Sequence, residues 1–235
     1  MGGMLNALLG SIAPTISSLT FNAGGAQYTD GNSQTVAGLS IGTANVNRYV
    51  VVVVRTRNST TSEDALVASV TVAGQSCSLV AFVDNTSGTT GVANSIYVTD
   101  NPVTTGTTAD IVVTAPVGET LTATIVSSYS LITFGTKPRV INTYFVSSTA
   151  STGGVTLNRT IWRPGIFGII AGAAATNSAL TNFTMSGSGV VTQDYYSGLT
   201  EPSALITGTI IGSGSITFTT TGSLSTTRIV GAVWA

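Results

Sequence analysis

The side chains that could carry chemistry are few in this chain of 235 residues. It contains no histidine, one lysine (Lys137) and one cysteine (Cys77), which has no partner for an intrachain disulfide. Without histidine there is no general base for a Ser–His–Asp triad, and zinc loses its commonest nitrogen ligand. A Ser-x-x-Lys nucleophile is excluded as well, because Phe134 stands three positions before Lys137. These residue types favour a protein that is not an enzyme.

Carboxylates could still act on a glycosidic bond or hold a metal ion. A pair of acids could hydrolyse a glycoside, but none of the nine acidic residues lies in a recognisable motif. Asp30-Gly31-Asn32, Asp84-Asn85 and Asp100-Asn101 carry the oxygen ligands that calcium prefers. Asx turns between strands explain all three segments without a metal. We therefore expect no cofactor and no metal site.

Aromatic side chains near the C-terminus offer one further kind of binding. Tyr195, Tyr196 and Trp234 could stack on a sugar ring, which makes Tyr195 and Tyr196 candidate glycan contacts. Packing in a core or an interface is the commoner role of such rings. We accordingly assign Trp234 to assembly.

The composition is nearly neutral and rich in hydroxyl groups. Lys and Arg number 8 and Asp and Glu number 9, so the net charge is −1 and the charged fraction is 7%. A chain without a basic cluster lacks the electrostatic footprint of a nucleic-acid-binding protein. The longest run of large apolar residues, 49–54, is far shorter than the ~20 residues that span a bilayer. The 41 threonines and 27 serines provide a neutral surface that can pack on a partner without burying a charge.

Apolar side chains near the N-terminus recur at helical spacing. They predict a short amphipathic helix over residues 4–12, which stops before Pro14. Because a helix this short is marginal alone in water, we expect residues 1–14 to be an anchoring segment that packs on a partner. Its apolar residues are Leu5, Leu8, Leu9 and Ile12.

From residue 15 onward, short β-rich runs alternate with turn signals. This texture predicts an all-β chain built from antiparallel sandwiches or jelly rolls. We assign residues 15–133 and 140–235 to two tandem β-sandwich domains, with residues 134–139 as the linker. The predicted strands cover residues 19–22, 35–41, 48–57, 66–72, 78–83, 95–99, 110–114, 121–132, 140–147, 155–157, 165–175, 180–185, 190–196, 205–211, 215–220 and 227–235.

Short matches between the two halves indicate a duplication. Residues 70–74 (VTVAG) align with residues 183–187 (FTMSG) at a shift of 113. At a shift of 104, Ile125 aligns with Ile229 and Tyr129 with Val233. The paired elements keep their order, and shifts that drift are expected when two copies of one fold have loops of different length.

The valine-rich strand is apolar on both faces. Residues 49–54 (YVVVVV) do not alternate, so the face that would normally meet water needs a second cover. A central strand flanked by long neighbouring side chains is one explanation. The others are cover by the sister domain, by the N-terminal helix or by another chain. Cover by another chain makes Val50, Val52, Val54 and Trp234 assembly residues, together with the apolar residues of the N-terminal helix.

Charged residues flank the same strand. Arg48, Arg55 and Arg57 bracket the valines, and Glu63 and Asp64 follow in the next loop. We expect local, solvated ion pairs there rather than contacts with a partner.

Several segments resemble β-sandwich modules in virion proteins of tailed bacteriophages. The resemblance covers residues 40–132 and, more faintly, 160–235, and it leaves out the N-terminal helix. Such modules occur in capsid-decoration proteins and in head or tail fibres, so the resemblance implies a structural protein of a virus particle and carries over no site residues. The matching segments are 47–54 (NRYVVVVV), 70–74 (VTVAG), 96–97 (IY), 103–114 (VTTGTTADIVVT) and 127–131 (SSYSL).

The sequence therefore predicts a non-enzymatic virion component, either a capsid decoration (cement) protein or a head or tail fibre protein. Its expected partners are copies of itself and other virion proteins, with no nucleic acid and no membrane span. Two alternatives stay open. One is a small double-jelly-roll shell protein. The other is a carbohydrate-binding adhesin module for a host surface glycan, which requires Tyr195, Tyr196 and Trp234 to be exposed and to line a groove.

Overall fold

The computed structural model confirms the all-β class. It describes residues 16–58, 67–85, 92–148, 155–159, 167–175, 182–187, 190–197, 203–211, 214–221 and 226–234, and no helix occurs within these ranges. Every one of the predicted strands overlaps an observed strand. The predicted helix over residues 4–12 lies outside the described residues, as does the loop of residues 59–66, which contains Glu63 and Asp64.

Sixteen strands make up the described chain. The first eight are β1 (Ile16–Gln27), β2 (Ser33–Ser40), β3 (Arg48–Asn58), β4 (Ser69–Val72), β5 (Gln75–Asn85), β6 (Val92–Thr99), β7 (Thr108–Thr114) and β8 (Leu121–Thr133). The second eight are β9 (Val140–Ser148), β10 (Val155–Arg159), β11 (Phe167–Ala175), β12 (Asn182–Gly187), β13 (Val190–Ser197), β14 (Ser203–Ile211), β15 (Gly214–Thr221) and β16 (Thr226–Trp234).

The strand order of the first half recurs in the second half. Strands β1–β8, which we call the first unit, form one antiparallel sheet in the order β1-β8-β3-β6-β5-β4-β7-β2. Strands β9–β16, the second unit, form a sheet β13-β14-β11-β16-β9 and a sheet β10-β15-β12. Adding eight to each strand number of the first unit reproduces both sheets of the second unit. Only the link equivalent to β5-β4 is missing from the described hydrogen bonds.

Bulges also recur at equivalent places. Val80 is the extra residue where β5 pairs with β6, and Asp194 is the extra residue where the equivalent strands β13 and β14 pair. Ser17 is extra near the start of β1, opposite the end of β8. Ile141 is extra near the start of β9, opposite the end of β16. Because bulges are retained features of a fold, these coincidences agree with the repeated strand order.

One sequence alignment between the halves matches equivalent strands but aligns residues that lie on opposite faces of those strands. The shift of 104 aligns β8 with β16 but places Tyr129 on Val233. Tyr129 belongs to the core between the two units, whereas the β16 residues in that core are Val230, Ala232 and Trp234. A shift that is wrong by one residue turns every side chain of a strand to the other face, so periodicity alone could not detect the error.

Strand β3 is apolar on both faces because another layer of the same chain covers each face. Val50, Val52 and Val54 face a core that contains residues of β2, β4 and β7. Val51 and Val53 face a second core, which contains residues of β11, β14 and β16. The second cover is therefore the sister half, one of the arrangements that the sequence left open.

The sheets pack on one another through two apolar cores. The first unit bends between β5 and β4, so that β4-β7-β2 lies over the other five strands across the inner core. The five-stranded sheets of the two units then pack on each other. The far face of the second unit's sheet is buried too, at Ile206, Ile229 and Val233, and β12 packs beside β13 and β14. The small sheet β10-β15-β12 therefore contacts this sheet through β12.

Close approach of β2 to β1 nearly closes the first unit. A Cβ atom built on Gly25 of β1 would lie 2.7 Å from Val36 Cγ1 and 3.1 Å from Leu39 Cδ1 of β2. Only glycine leaves room for these two end strands of the sheet to pack on each other.

Arg48 is a buried clamp rather than the solvated ion-pair partner that the sequence predicted. Its guanidinium, with 0% of the residue exposed, donates four hydrogen bonds to backbone carbonyls. The acceptors are Val103 O at 2.9 Å, Gly42 O at 2.6 Å, Thr105 O at 2.8 Å and Gly106 O at 3.0 Å. These bonds tie the 41–47 and 102–107 loops to the start of β3. Arg55, at 1% exposure, is buried as well.

We predict that Arg48→Lys lowers the free energy of unfolding by about 3 kcal/mol, because an ammonium cannot reproduce the planar fork and leaves buried carbonyls unpaired. Urea denaturation followed by fluorescence measures the loss. Arg139→Lys makes the same change at an exposed position and should stay within about 0.5 kcal/mol of the natural chain. Equal effects of the two substitutions would contradict the clamp.

Candidate functional site

An exposed apolar patch lies where the two units are joined. Leu79 and Phe82 on β5, Phe134 in the linker, and Val140 and Ile141 on β9 are all exposed, from 36% for Val140 to 66% for Phe134. We call these five residues the apolar patch. Large apolar side chains grouped on a surface mark contact sites more often than single exposed ones do.

The elements that carry the apolar patch are held together. Strand β5 packs against β9. The linker is fixed beside the start of β5, because Lys137 Nζ lies 3.8 Å from Asp100 Oδ1 and the Ser78 hydroxyl donates a short hydrogen bond to the same carboxylate oxygen. Leu79 follows Ser78 directly. Leu79 and Phe82 lie on the face of β5 opposite Ala81 and Val83, which pack against the second unit. The patch therefore consists of two parts, one on β5 and one on the linker and β9.

Strand β9 is also an edge strand without charge. It pairs with β16, and no other described strand is hydrogen-bonded to it. Its sequence VINTYFVSS contains no charged residue, and residues 140–143 are all exposed. Edge strands of proteins that stay monomeric usually carry lysines or prolines that block pairing with another chain. The bulge at Ile141 is the only such protection seen on β9.

A polar cluster lies between the two units. The Tyr129 hydroxyl of β8 donates to Asp194 Oδ2 at 3.1 Å, and the Thr209 hydroxyl of β14 donates to the same oxygen at 2.6 Å. Phe21 of β1 packs edge-on against the Tyr129 ring, with 5.4 Å between ring centroids. The β13 bulge places Asp194 in this position. The Asp194 carboxylate of the second unit therefore forms a hydrogen bond with Tyr129 of the first unit.

Burial decides the protonation of this cluster. Removal of Asp194 from water raises the pKa of its carboxyl above the usual value, although the hydrogen bonds from Thr209 and Tyr129 oppose the shift. Burial also raises the pKa of Tyr129 well above its usual value, and the nearby Asp194 carboxylate adds to that shift. With Tyr129 at 0% exposure, the hydroxyl is enclosed by protein. The cluster is suited to holding two sheets together.

Two more polar contacts cross the same interface. The Thr207 hydroxyl of β14 donates to the Ser127 hydroxyl of β8 at 3.2 Å, and Asn94 Nδ2 of β6 donates to the Ala171 carbonyl of β11 at 3.1 Å. Together with the Asp194 cluster they fix the register of the units, since buried polar groups demand specific partners.

The predicted assembly residues of the β domains lie inside the chain. Val50, Val52, Val54 and Trp234 all have 0% exposure and pack in the two cores. Trp234 thus cannot stack on a sugar without unfolding of the surrounding strands. The Tyr195 and Tyr196 side chains, and Leu5, Leu8, Leu9 and Ile12, lie outside the described residues.

Neither candidate site has a clear signal in the sequence. Asp194 could have been noticed as the one acid in the otherwise uncharged strand β13. The sequence indicates the apolar patch less clearly, because hydrophobicity alone does not distinguish an exposed apolar residue from a buried one.

Among the described residues, the remaining candidates for reactive or metal-binding chemistry are Cys77 and the Asp-containing turn segments. Burial raises the pKa of the Cys77 thiol to about 12, so it stays protonated and poorly nucleophilic. Among the residues with described positions, no three of His, Cys, Asp and Glu lie close enough to hold a metal ion. Of the proposed calcium segments, Asp100 is engaged by Ser78 and Lys137. The described ranges contain no helix that is long and apolar enough to cross a membrane.

Comparison with known proteins gives no match: no protein family, no curated protein and no solved structure is significantly similar to this chain.

We predict that acid strengthens the contact between the units through Asp194. A carboxyl whose pKa is raised on folding stabilises the folded state fully below its unfolded pKa of about 3.9, and this contribution is lost as the pH rises through the folded pKa. Asp194→Asn should remove this loss, because the amide oxygen still accepts hydrogen bonds and carries no charge. Denaturation curves from acid to neutral pH measure the effect. The control, Asp110→Asn, makes the same change at an exposed carboxylate whose hydrogen bond from the Gly38 N–H an amide oxygen can still accept. An unchanged profile in Asp194→Asn would refute the assignment.

Proposed function

We propose that this protein is a non-enzymatic structural component of a bacteriophage virion, a capsid decoration protein or a head or tail fibre protein. One observation carries the proposal: Val140 and Ile141 of the apolar patch are exposed on the uncharged edge strand β9, in a chain with only 7% charged residues. Such a surface favours association with a further protein, because it offers backbone hydrogen-bonding groups and apolar area without charge repulsion. The partner that fits this surface best is a second copy of the chain.

The repeated strand order supports two tandem sandwiches of the jelly-roll type. A jelly roll is a long antiparallel hairpin rolled into two sheets, so its first strand pairs with its last and each inner pair follows. In the first unit β1 pairs with β8, β2 with β7, β3 with β6 and β4 with β5. In the second unit β9 pairs with β16, β10 with β15 and β11 with β14.

This pairing favours a second candidate from the same particle, a small double-jelly-roll shell protein. Jelly rolls are a frequent architecture of viral capsid domains. The two candidates differ in abundance, because a shell protein must be the most numerous chain of its particle. Quantitative mass spectrometry of purified particles therefore separates them. The adhesin alternative has lost Trp234 as a sugar contact, and no described residue supports it.

The apolar patch yields a direct prediction. Ile141→Lys should weaken self-association at least about tenfold, or about 1.4 kcal/mol, since a contact through β9 would have to bury or displace the new ammonium. Sedimentation velocity across a concentration series measures the change. Val117→Lys introduces the same charge at a fully exposed apolar residue in the β7–β8 connection and should leave association unchanged. If both variants behave like the natural chain, the patch is not the contact.

Residues 1–14 remain the proposed anchor to a neighbouring virion protein. Deleting residues 1–13 should abolish incorporation into particles while the β strands stay folded, because the strands described here build their own cores. Circular dichroism of the deleted chain controls for folding, and its copy number in purified particles is the readout. Normal incorporation of the deleted chain would rule out the anchor.

A further inference from the structure

The two five-stranded sheets that face each other have four end strands between them. The sheet of the first unit ends in β1 and β5, and the sheet of the second unit ends in β13 and β9. One side of an end strand has no neighbouring strand in its sheet, and its backbone groups on that side can pair with another chain. The four strands differ in how far that side is protected.

Three of the four end strands are covered or carry a charge. Strand β2 packs on β1 at Gly25, and β5 continues into β4 through its first residues, Gln75 and Ser76. Strand β5 also carries Asp84, whereas β13 carries Asp194 in a bulge and packs against β12. Bulges and charged residues are features that protect strand edges from other chains.

Strand β9 has the least protection of the four. From Asn142 to Ser148 it pairs with β16 through seven consecutive residues without a bulge, so its other side is a regular strand edge. Within the described ranges, β10 does not pack on β9 in the way that β2 packs on β1. The exposed residues Val140 and Ile141 lie at the start of the same strand. Among the end strands, β9 is therefore the one suited to pair with another chain.

The charges around β9 determine the direction in which two copies can pair. Lys137 and Arg139 precede the strand, whereas residues 140–158 contain no charged residue. In a parallel pair, each of these two cations would lie beside the same cation of the second copy, and like charges placed opposite each other are destabilising. In an antiparallel pair, the basic end of each copy lies beside the uncharged residues that follow β9 in the other copy. Charge therefore favours the antiparallel direction.

We propose that two copies of this chain pair antiparallel through β9, so that their five-stranded sheets join into one continuous sheet. Full overlap of residues 142–148 places Asn142 of each copy opposite Ser148 of the other, with Phe145 at the two-fold axis. The contact is isologous, because each copy offers the same strand. This inference rests on the proposed function and adds how the second copy binds, through backbone hydrogen bonds of β9.

Cross-linking between single cysteines tests the direction and the register. In a Cys77→Ser background, Asn142→Cys and Ser148→Cys chains carry different tags, are mixed at a concentration at which the chain associates, and are treated with a short bismaleimide. The mixture should give at least about tenfold more cross-linked dimer than either chain alone, because identical cysteines lie about 20 Å apart along the antiparallel strands.

The outcomes separate the pairing from the proposed function. Efficient cross-linking of either variant alone, or no cross-linking in associated samples, overturns the antiparallel pairing through β9. If Ile141→Lys still weakens association in that case, the proposed function stands. A chain that stays monomeric at every concentration overturns both. Sedimentation velocity of each cysteine variant, compared with the Cys77→Ser chain, shows whether the substitutions leave association intact.

Hydrogen exchange on the natural chain gives a second measurement, which decides the matter if a cysteine variant fails to associate. Every second amide of β9 should exchange at least about tenfold more slowly in the dimer than in the monomer, because the second copy accepts its hydrogen bond. The amides of β13, at the other end of the same sheet, are the internal control and should not change. Equal exchange of β9 in monomer and dimer would refute the pairing.

Discussion

Burial of the valine strand on both faces is the constraint on which the rest of the structure depends. β3 runs through the middle of its sheet, with β8 on one side and β6 on the other. Its alternate side chains need two separate apolar cores, and a single eight-stranded unit supplies only one of them. The second unit supplies the other. The packing of the two five-stranded sheets on each other covers the outer face of this strand.

Much of the fold could be predicted because strands and turns have recognisable local sequence patterns. Alternation in residues 121–131 and turn residues such as Ala73-Gly74 mark where strands begin and end. The absence of alternation in residues 49–54 correctly indicated a strand covered on both sides. What covers it is a question of long-range pairing, and no local pattern encodes which layer packs on which.

The candidate sites were hidden for related physical reasons. Asp194 acquires its partners through a bulge, and one extra residue in a strand has no reliable sequence signal. Arg48 looked like a surface charge because its acceptors are backbone carbonyls of two loops, which every sequence contains. Val140 and Ile141 looked like core residues because hydrophobicity does not reveal that a strand lies at the end of its sheet. Conversely, Val50, Val52 and Val54 were assigned to assembly although the assembly they join is internal.

The packing of the sheets has a consequence for the surface of the molecule. The five-stranded sheets of the two units pack on each other, and β2-β7-β4 lies on the far side of the first unit's inner core. On β2 and β7 the outward side chains are small and mostly polar, among them Thr35, Thr108 and Asp110. Because β2 and β7 carry no exposed large apolar side chain, the side of the first unit that faces away from the second unit meets water mainly through hydroxyl groups.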